Sequence, residues 1–172
     1  MRVCLIIDGG YVDGIRNEIG LIDLIRLKHY IQSEIGYITC AYYVTSVGED
    51  AKSQTRIETY YNWIEKQKWI KLVLKGQKKV QCRFCESDRI VERGVDVTIS
   101  TIAIREAIND SYDDLILMNG DGDLIDAMSY VRELGKGFIQ LTDRNSTAKS
   151  MMDIATRFIN IHTVKHHFCI TK

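Results

Sequence analysis

Short runs of apolar, mostly β-branched residues alternate along this chain with longer segments whose apolar residues recur at helical spacing. The first run is Val3–Ile7, and Asp23–Ile35 has apolar residues three or four positions apart. This alternation predicts βαβ units, because parallel strands need a long crossover that a helix usually supplies. We therefore expect an α/β three-layer sandwich with a central, mostly parallel sheet.

The same alternation continues through the rest of the sequence. Further strands are predicted at Ile38–Thr45, Trp69–Leu74, Asp114–Met118, Gly137–Leu141 and Arg157–Ile161, and further helices at Glu49–Lys68, Val95–Ile108, Leu124–Leu134 and Thr147–Ala155. No low-complexity tract, long linker or internal repeat divides the 172 residues, which is the length of one ordinary domain. We expect residues 1–172 to form a single domain.

Residues 75–93 show neither the apolar runs of strands nor the apolar spacing of helices, and we expect them to form an irregular basic excursion. Nine Lys and Arg residues lie between positions 66 and 93 against three acids, although the whole chain has 23 residues of each sign. A charge run of this kind is usually a solvated surface. The excursion also contains a C-x-x-C pair, Cys82 and Cys85.

The composition favours a soluble globular protein, with 45% hydrophobic and 27% charged residues. The apolar run Val3–Ile7 is too short for a signal-peptide core or a membrane span. Five cysteines, an odd number, argue against a disulfide framework. We expect a cytoplasmic protein with no membrane partner.

Aspartates follow two of the predicted strands directly. Asp8 ends the first strand, and Asp121 and Asp123 follow the fourth. The carboxyl ends of parallel strands face the functional crevice, and right-handed crossovers tend to place the fourth strand beside the first. The two groups should therefore be neighbours. Asp96, at the beginning of the helix that leads to the fourth strand, is a further candidate.

Each aspartate has a simpler explanation when it is taken singly. Asp96 and Asp123 could cap their helices, and Asp8 before two glycines could belong to a turn. Several carboxylates together repel one another unless a cation neutralises them. Oxygen-only ligands select hard ions such as Mg²⁺ or Mn²⁺. We therefore predict a divalent metal site formed by Asp8, Asp96, Asp121 and Asp123.

The motifs that carry these acids resemble those of the NYN domain, LabA-like branch, of the PIN-like nuclease superfamily. They are IIDGGY (Ile6–Tyr11), GVDV (Gly94–Val97) and LILMNGDGDL (Leu115–Leu124), followed by ELGKGFIQL (Glu133–Leu141) and RFINI (Arg157–Ile161). The resemblance extends over nearly the whole chain. It implies a Rossmann-like (PIN-like) fold and a metal-dependent endoribonuclease that hydrolyses RNA, with the four aspartates as catalytic and metal-binding residues.

The resemblance also suggests which residues would bind RNA. The backbone at Gly9 and Gly10 could approach a phosphate closely. Asn119 could contact a phosphate or a water on the metal, or it could only cap its turn. Ser146 and Thr147 could offer hydroxyls to an anion, but a helix cap is the simpler role for Ser146. Basic residues of the excursion could hold the phosphates of a single strand while Phe84 stacks on a base; they are Lys78, Lys79, Arg83 and Arg89.

The C-x-x-C pair could bind Zn²⁺, because similar LabA-like proteins often carry such a pair here. Two cysteines supply half of the four ligands of a structural zinc site. The remaining ligands could come from a second chain or from the C-terminal residues His162, His166, His167 and Cys169. The His-rich end is otherwise expected to be a solvated tail.

The chain also departs from the pattern of the family. Tyr11 stands where many relatives have Asn, Asn119 and Gly122 replace serines, and Thr156 replaces an acid. Because of these departures, the alternative function is a non-catalytic RNA- or protein-binding regulatory module of the same fold. The sequence also allows a homo-oligomer. A Toprim-like phosphotransfer domain fits less well, since its first acid is normally Glu and it does not need Asp96.

Overall fold

The computed structural model describes residues 1–47, 51–81, 88–92 and 94–170, and of residues 51–58, 78–81 and 88–92 it describes the backbone alone. The elements in chain order are β1 (Arg2–Asp8), α1 (Gly9–Ile19), β2 (Leu21–Ile22), α2 (Leu24–Glu34), β3 (Tyr37–Val47), α3 (Ala51–Lys66), β4 (Lys71–Gln81), β5 (Asp88–Glu92), α4 (Val95–Ile108), β6 (Asp114–Met118), α5 (Ile125–Glu133), β7 (Gly137–Thr142), α6 (Lys149–Ile154), β8 (Arg157–Asn160), α7 (Ile161–Val164) and β9 (Cys169–Ile170). Short 3-10 helices lie at Gly122–Leu124, Arg144–Ser146 and Lys165–His167.

A seven-stranded sheet forms the middle layer, in the order β5-β4-β3-β1-β6-β7-β8. Its neighbouring strands are parallel except for β4 and β5, which are antiparallel. The crossovers place β1 between β3 and β6, so the chain reverses its direction of progress across the sheet at β1. This is the point at which open α/β sheets leave a crevice beyond the carboxyl ends of their strands.

Two hydrophobic cores lie on the two faces of the sheet. Successive residues of β1 point to opposite faces, so that Leu5 belongs to one core and Ile6 to the other. The first core contains side chains of α1, α2, α3 and α7, and the second contains those of α4, α5 and α6. The predicted three-layer α/β sandwich with a mostly parallel sheet is thus confirmed. The helices of the described residues include none that is both long enough and apolar enough to cross a membrane.

Helix α1 was not among the predicted elements. Three of its first six residues, Gly9, Gly10 and Gly14, disfavour a helix intrinsically. The helix forms because Val12, Ile15 and other apolar residues on one face pack into the first core.

The prediction of an irregular excursion over residues 75–93 is wrong for its flanks. Strand β4 runs on to Gln81, and β5 pairs with it from Gln77↔Glu92 to Gln81↔Asp88. Such an antiparallel pair at the edge of a sheet does not need the continuous apolar sequence of a buried parallel strand. The strands were therefore not predicted, because their charged sequence lacks the apolar pattern of a buried strand.

The prediction of a solvated C-terminal tail is also wrong. Strand β9 pairs with β2, and Phe168 is fully buried. The ring centroid of Phe168 lies 5.4 Å from that of Tyr30 on α2. A single large aromatic side chain is enough to fix this short polar segment to the domain, because it buries a large apolar surface.

Candidate active site

Asp8 is the last residue of β1 and the N-cap of α1. Its Oδ1 accepts hydrogen bonds from the backbone N–H groups of Gly10 (2.9 Å) and Tyr11 (3.4 Å). Its Oδ2 accepts a hydrogen bond from the side-chain amide of Asn119 at 2.6 Å. The carboxylate is buried, and these bonds fix its orientation.

The environment of Asp8 disfavours its charged form. Burial raises the pKa of Asp8 to about 6, the hydrogen bonds from Tyr11, Gly10 and Asn119 oppose this shift, and the charge of Asp96 adds to it. A cation next to this carboxylate would offset both the burial and the neighbouring negative charge.

The loop that follows β6 carries two of the other predicted acids. Asn119 is buried, and its Oδ1 accepts a hydrogen bond from the N–H of Asp121 at 2.6 Å. The carboxylate of Asp121 in turn accepts one from the N–H of Asp123 at 3.0 Å and caps the 3-10 helix that begins at Gly122. Asn119 therefore caps its turn, as one alternative held, and also binds Asp8.

Three of the four predicted acids line one cavity of about 450 Å³. These are Asp8 at the end of β1, Asp96 in the first turn of α4 and Asp121 after β6. Asp123 does not line this cavity. It lines a neighbouring cavity of about 770 Å³ along α4, to which Asp96 also contributes. Asp96 thus lies between the two.

Asp96 and Asp123 do not cap the helices that they precede or begin. Gly94, with a φ of 70°, is the N-cap of α4, and Asp96 lies inside the first turn. Asp123 lies inside the 3-10 helix that Asp121 caps. The capping alternative therefore does not account for either carboxylate.

Tyr11 and Ser146 form the rim of the 450 Å³ cavity. The hydroxyl of Tyr11 accepts a hydrogen bond from the N–H of Asp143 (2.7 Å) and lies 3.2 Å from the hydroxyl of Ser146. The cap predicted for Ser146 is wrong, because α6 begins only at Lys149 and has Ala148 as its N-cap. Tyr11, which stands where many relatives have Asn, instead connects α1 to the loop after β7.

Thr156, the position at which an acid was expected, lies away from this cavity. Its hydroxyl donates to the carbonyl of Phe138 near the beginning of β7, and it accepts from the N–H of the same residue. This position lies at the amino ends of the parallel strands, whereas Asp8 lies at their carboxyl ends. A carboxylate at this position would therefore not line the cavity, and its replacement by threonine does not change the set of acids there.

The closest set of metal-ligand atoms in the described part of the chain is a different one. Single ligand atoms of Glu18, Asp143 and His162 lie within 4.8 Å of one another, which no three of the four predicted aspartates achieve. The Nε2 of His162 is 3.4 Å from Asp143 and 3.7 Å from Glu18. Asp143 was not among the predicted acids, although it directly follows strand β7 at the carboxyl ends of the parallel strands, where Asp8 ends β1.

The remaining predicted residues divide into two groups. Gly10 lines the 450 Å³ cavity, whereas Gly9 is buried against Tyr43 and Thr45 of β3. Thr147 is buried, and its hydroxyl donates to the carbonyl of Asp143 at 2.6 Å. The predictions for the excursion fall on residues whose side chains lie outside the described residues. These are the proposed zinc ligands Cys82 and Cys85, the stacking residue Phe84, and the phosphate-binding residues Lys78, Lys79, Arg83 and Arg89.

The donor set of the 450 Å³ cavity fits a hard divalent cation. It offers carboxylate oxygens and no sulfur or imidazole, which favours Mg²⁺ or Mn²⁺ over softer metals. Burial and, to a smaller extent, the charge of Asp96 raise the pKa of Asp8, so its ionised form is disfavoured there without a cation. A bound cation would remove that cost.

Comparison with known proteins agrees with this architecture. A crystal structure of a protein of unknown function, VPA0982 from Vibrio parahaemolyticus RIMD 2210633, superposes with a TM-score of 0.71 at 20% identity, covering 98% of this chain and 96% of that chain. At this identity the likeness shows the fold alone. No curated protein matches the sequence. The sequence model of the NYN domain matches residues 2–162, and the chain therefore belongs to the NYN domain family, with its PIN-like fold.

Proposed function

We propose that this protein is a metal-dependent ribonuclease that hydrolyses phosphodiester bonds of RNA at the 450 Å³ cavity. One observation carries the proposal: carboxylates from three separate elements, Asp8, Asp96 and Asp121, surround a single cavity at the carboxyl ends of the central strands of an NYN domain. A cluster of negative charge of this kind is costly unless it binds a cation.

Asp8, Asp96 and Asp121 would hold Mg²⁺ or Mn²⁺, with Asp123 next to them in the adjoining cavity. When bound, a divalent cation lowers the pKa of water and offsets negative charge on a phosphate that is being cleaved. No nucleophilic side chain of the protein is required for hydrolysis of this type.

The residues around the carboxylates keep them in place. Asn119 donates to Asp8 and accepts from the backbone of Asp121, so it fixes the two acids relative to each other. Gly10 and Gly120 line the cavity without side chains. Gly10 would let the backbone of an RNA strand approach the carboxylates closely, whereas the space beside Gly120 is occupied by the carbonyl oxygen of Ser146.

Cleavage of RNA tests the proposal directly. Purified protein is incubated with labelled single-stranded RNA and Mn²⁺ or Mg²⁺, in parallel with an Asp121→Asn variant. Asp153→Asn is the matched control, because Asp153 is exposed on α6 and lines none of the three cavities. We expect Asp121→Asn to lower the rate on the order of 100-fold and Asp153→Asn to leave it unchanged. Equal cleavage by all three proteins would refute the proposal.

Circular RNA, which has no ends, distinguishes internal from terminal cleavage. A metal-dependent endoribonuclease converts the circle into a linear product, whereas an enzyme that acts only from an end leaves it intact. We expect linear product that appears with Mn²⁺ and disappears with EDTA.

A second candidate is a non-catalytic RNA-binding module of the same fold. The observation that favours it is the spacing of the four predicted aspartates, no three of which bring ligand atoms within 4.8 Å. For this candidate, RNA binding should weaken as salt is raised, and no cleavage should follow with either metal. Turnover that is abolished by Asp121→Asn would exclude it.

A further inference from the structure

A cavity of about 490 Å³ adjoins the first turns of α1, as the carboxylate cavity also does. Gly10 and Tyr11 face the carboxylates, and the next residues along the helix, Val12 and Asp13, line this second cavity. Helix α1 therefore contributes residues to both cavities. A strand that crosses the amino end of α1 could occupy both cavities at once.

Three tyrosine rings form one wall of the second cavity: Tyr43 of β3 and Tyr60 and Tyr61 of α3. Their ring centroids lie 6.0–6.4 Å apart, and the rings are tilted relative to one another. The hydroxyl of Tyr61 donates to the Oγ1 of Thr45 at 3.4 Å. Tyr43 is buried beneath the other two rings, whereas Tyr60 and Tyr61 are half-buried and leave ring carbons to contact a planar ligand.

Two charged side chains of α1, Asp13 and Arg16, line the same cavity. Within the described part of the chain, neither takes part in an ion pair within 4.0 Å, and no side-chain hydrogen bond engages either of them. Burial raises the pKa of Asp13, and the charge of Arg16 opposes the shift. A carboxylate and a guanidinium are therefore available to a ligand that carries both N–H donors and an anionic group.

We propose that this cavity binds a nucleobase, which packs against the tyrosines and donates N–H groups to Asp13, while Arg16 binds the adjoining phosphate. A nucleotide combines the three features that the cavity requires: a planar ring, N–H donors and negative charge. The inference rests on the proposed function, since the base would belong to the RNA strand whose backbone reaches the carboxylate cavity.

The acceptor at Asp13 predicts a preference among bases. Adenine, cytosine and guanine present an amino group on their pairing edge, whereas uracil presents one N–H between two carbonyl oxygens. A carboxylate attracts the amino group and repels the carbonyls. We therefore expect oligonucleotides of amino-bearing bases to bind more tightly than oligouridine.

Binding measured in EDTA tests the inference independently of cleavage. Fluorescence anisotropy of labelled single-stranded RNA gives the affinity of the wild-type protein and of the Tyr60→Leu, Asp13→Asn and Arg16→Gln variants. We expect Tyr60→Leu to weaken binding about tenfold, the usual contribution of one stacked base. Asp13→Asn should narrow the difference between amino-bearing bases and uracil, because an amide both donates and accepts.

Control variants separate this result from unfolding and from general charge effects. Asp153→Asn and Arg26→Gln make the same charge changes outside the cavity lining, and both should bind RNA as the wild type does. Urea unfolding identifies any variant that does not fold. If Tyr60→Leu does not fold, Arg16→Gln still tests the inference, because Arg16 is exposed and its replacement should not disturb the fold. Wild-type affinity and base preference in all three cavity variants would overturn the inference, even if the protein cleaves RNA with Mn²⁺.

Free AMP distinguishes the two sources of a nucleobase. If the base of a strand occupies the cavity, AMP binds far more weakly than an adenine-containing oligonucleotide, and Asp13→Asn changes both. Equal affinity for AMP and the oligonucleotide, lost together in Tyr60→Leu, supports the base pocket and assigns it to a free nucleotide.

Discussion

Asn119 takes part in three hydrogen bonds at the candidate site. Its side chain donates to Asp8 and accepts from the N–H of Asp121, and its carbonyl accepts from the side chain of Gln140 on β7. Because it is buried, water cannot replace these bonds when they are lost. Asn119 therefore links strands β1, β6 and β7 at the edge of the sheet where the acids lie.

Replacing Asn119 by alanine should reduce both stability and cation binding. We expect the free energy of unfolding in urea to fall by about 1–3 kcal/mol, because two hydrogen bonds of a buried amide are lost. The affinity for Mn²⁺, measured by calorimetry, should fall about 10–100-fold, since Asp8 and Asp121 lose the group that orients them. Asn17→Ala, at an exposed position of α1, is the control and should change neither quantity appreciably. An unchanged Mn²⁺ affinity in Asn119→Ala would show that the amide does not position the acids.

The position of single acids was predictable where a strand ends in an aspartate. Asp8 and Asp121 follow buried strands, and the parallel sheet brings both to one cavity. The spacing between their oxygen atoms was not predictable, because it depends on loop conformation and on hydrogen bonds such as those of Asn119. The same limit applies to Asp123, which is two residues from Asp121 but faces the next cavity.

Helix α1 depends on the absence of a side chain at Gly9. A Cβ atom at this position would lie 2.6 Å from the Cβ of Thr45 and 2.8 Å from the ring of Tyr43. Both neighbours belong to the buried strand β3, which cannot easily move. Gly9 thus allows α1 to lie directly on the sheet.

Two glycine substitutions in α1 should have opposite effects on stability. Gly9→Ala should lower the free energy of unfolding by about 1–3 kcal/mol through the clash with β3. Gly14→Ala is the matched control, because no atom would lie within 4 Å of its Cβ. It should raise stability by about 0.5–1 kcal/mol, as alanine favours a helix over glycine. Urea unfolding of both variants checks the pair, and a Gly9→Ala protein as stable as Gly14→Ala would contradict the packing.

Glu106 connects α4 to β3 through its carboxylate. The hydroxyl of Tyr42 donates to one oxygen and that of Ser111 to the other, each at 2.8 Å. Burial alone would raise the pKa of Glu106, but these hydrogen bonds and the Arg105 guanidinium outweigh it, so the pKa lies below its usual value. The ionised form therefore stabilises the folded state, and this contribution is present above the pKa of the unfolded chain.

The stability lost in Glu106→Gln should depend on pH. At pH 7 we expect a decrease of about 1–3 kcal/mol in the free energy of unfolding, typical of hydrogen bonds to a charged group. The difference from the wild type should shrink as the pH falls below the ordinary glutamate value of 4.5 and through the lower folded-state pKa, because Glu106 then becomes neutral as well. Glu133→Gln, at an exposed position of α5, controls for the loss of charge. A difference that stays constant down to pH 3 would refute the role given to the carboxylate.

Elements with a buried face were predictable, and elements held by tertiary contacts were not. The boundaries predicted for Val95–Ile108 and Asp114–Met118 agree with α4, whose apolar face packs in the second core, and with β6, whose apolar residues alternate between the two cores. Helix α1 and the pair β4–β5 were missed, because glycines in the one and charges in the other mask their patterns. Their formation depends on neighbouring elements rather than on local propensity.

At the scale of the whole molecule, the C-terminal segment closes the face of the sheet that carries the first core. Phe168 is buried in that core, and β9 pairs with β2, a strand near the other end of the sequence. His167 stacks on Tyr30, with ring centroids 5.1 Å apart. The segment is thus part of the domain.

Truncation of Phe168 to alanine should destabilise the whole domain. We expect the free energy of unfolding to fall by about 3–5 kcal/mol, the usual result for a buried phenylalanine. Ile170→Ala is the control in the same segment, since Ile170 is 46% exposed and should lose far less. Thermal unfolding followed by circular dichroism gives both values. Similar melting temperatures for Phe168→Ala and the wild type would mean that the segment does not contribute to the fold.

The hydrogen bond between Asp8 and Asn119 joins residues 111 positions apart in the sequence. It can form only after β1 has paired with β6, and β6 is made late, after more than half of the chain has emerged from the ribosome. Contacts of such long range form slowly, because a large loop must close, at a cost in entropy, before the contact can stabilise the fold. A chain that ends before β6 therefore has Asp8 but not the amide that orients it, and a nascent chain acquires this part of the candidate site only when the residues that follow β6 have left the ribosome.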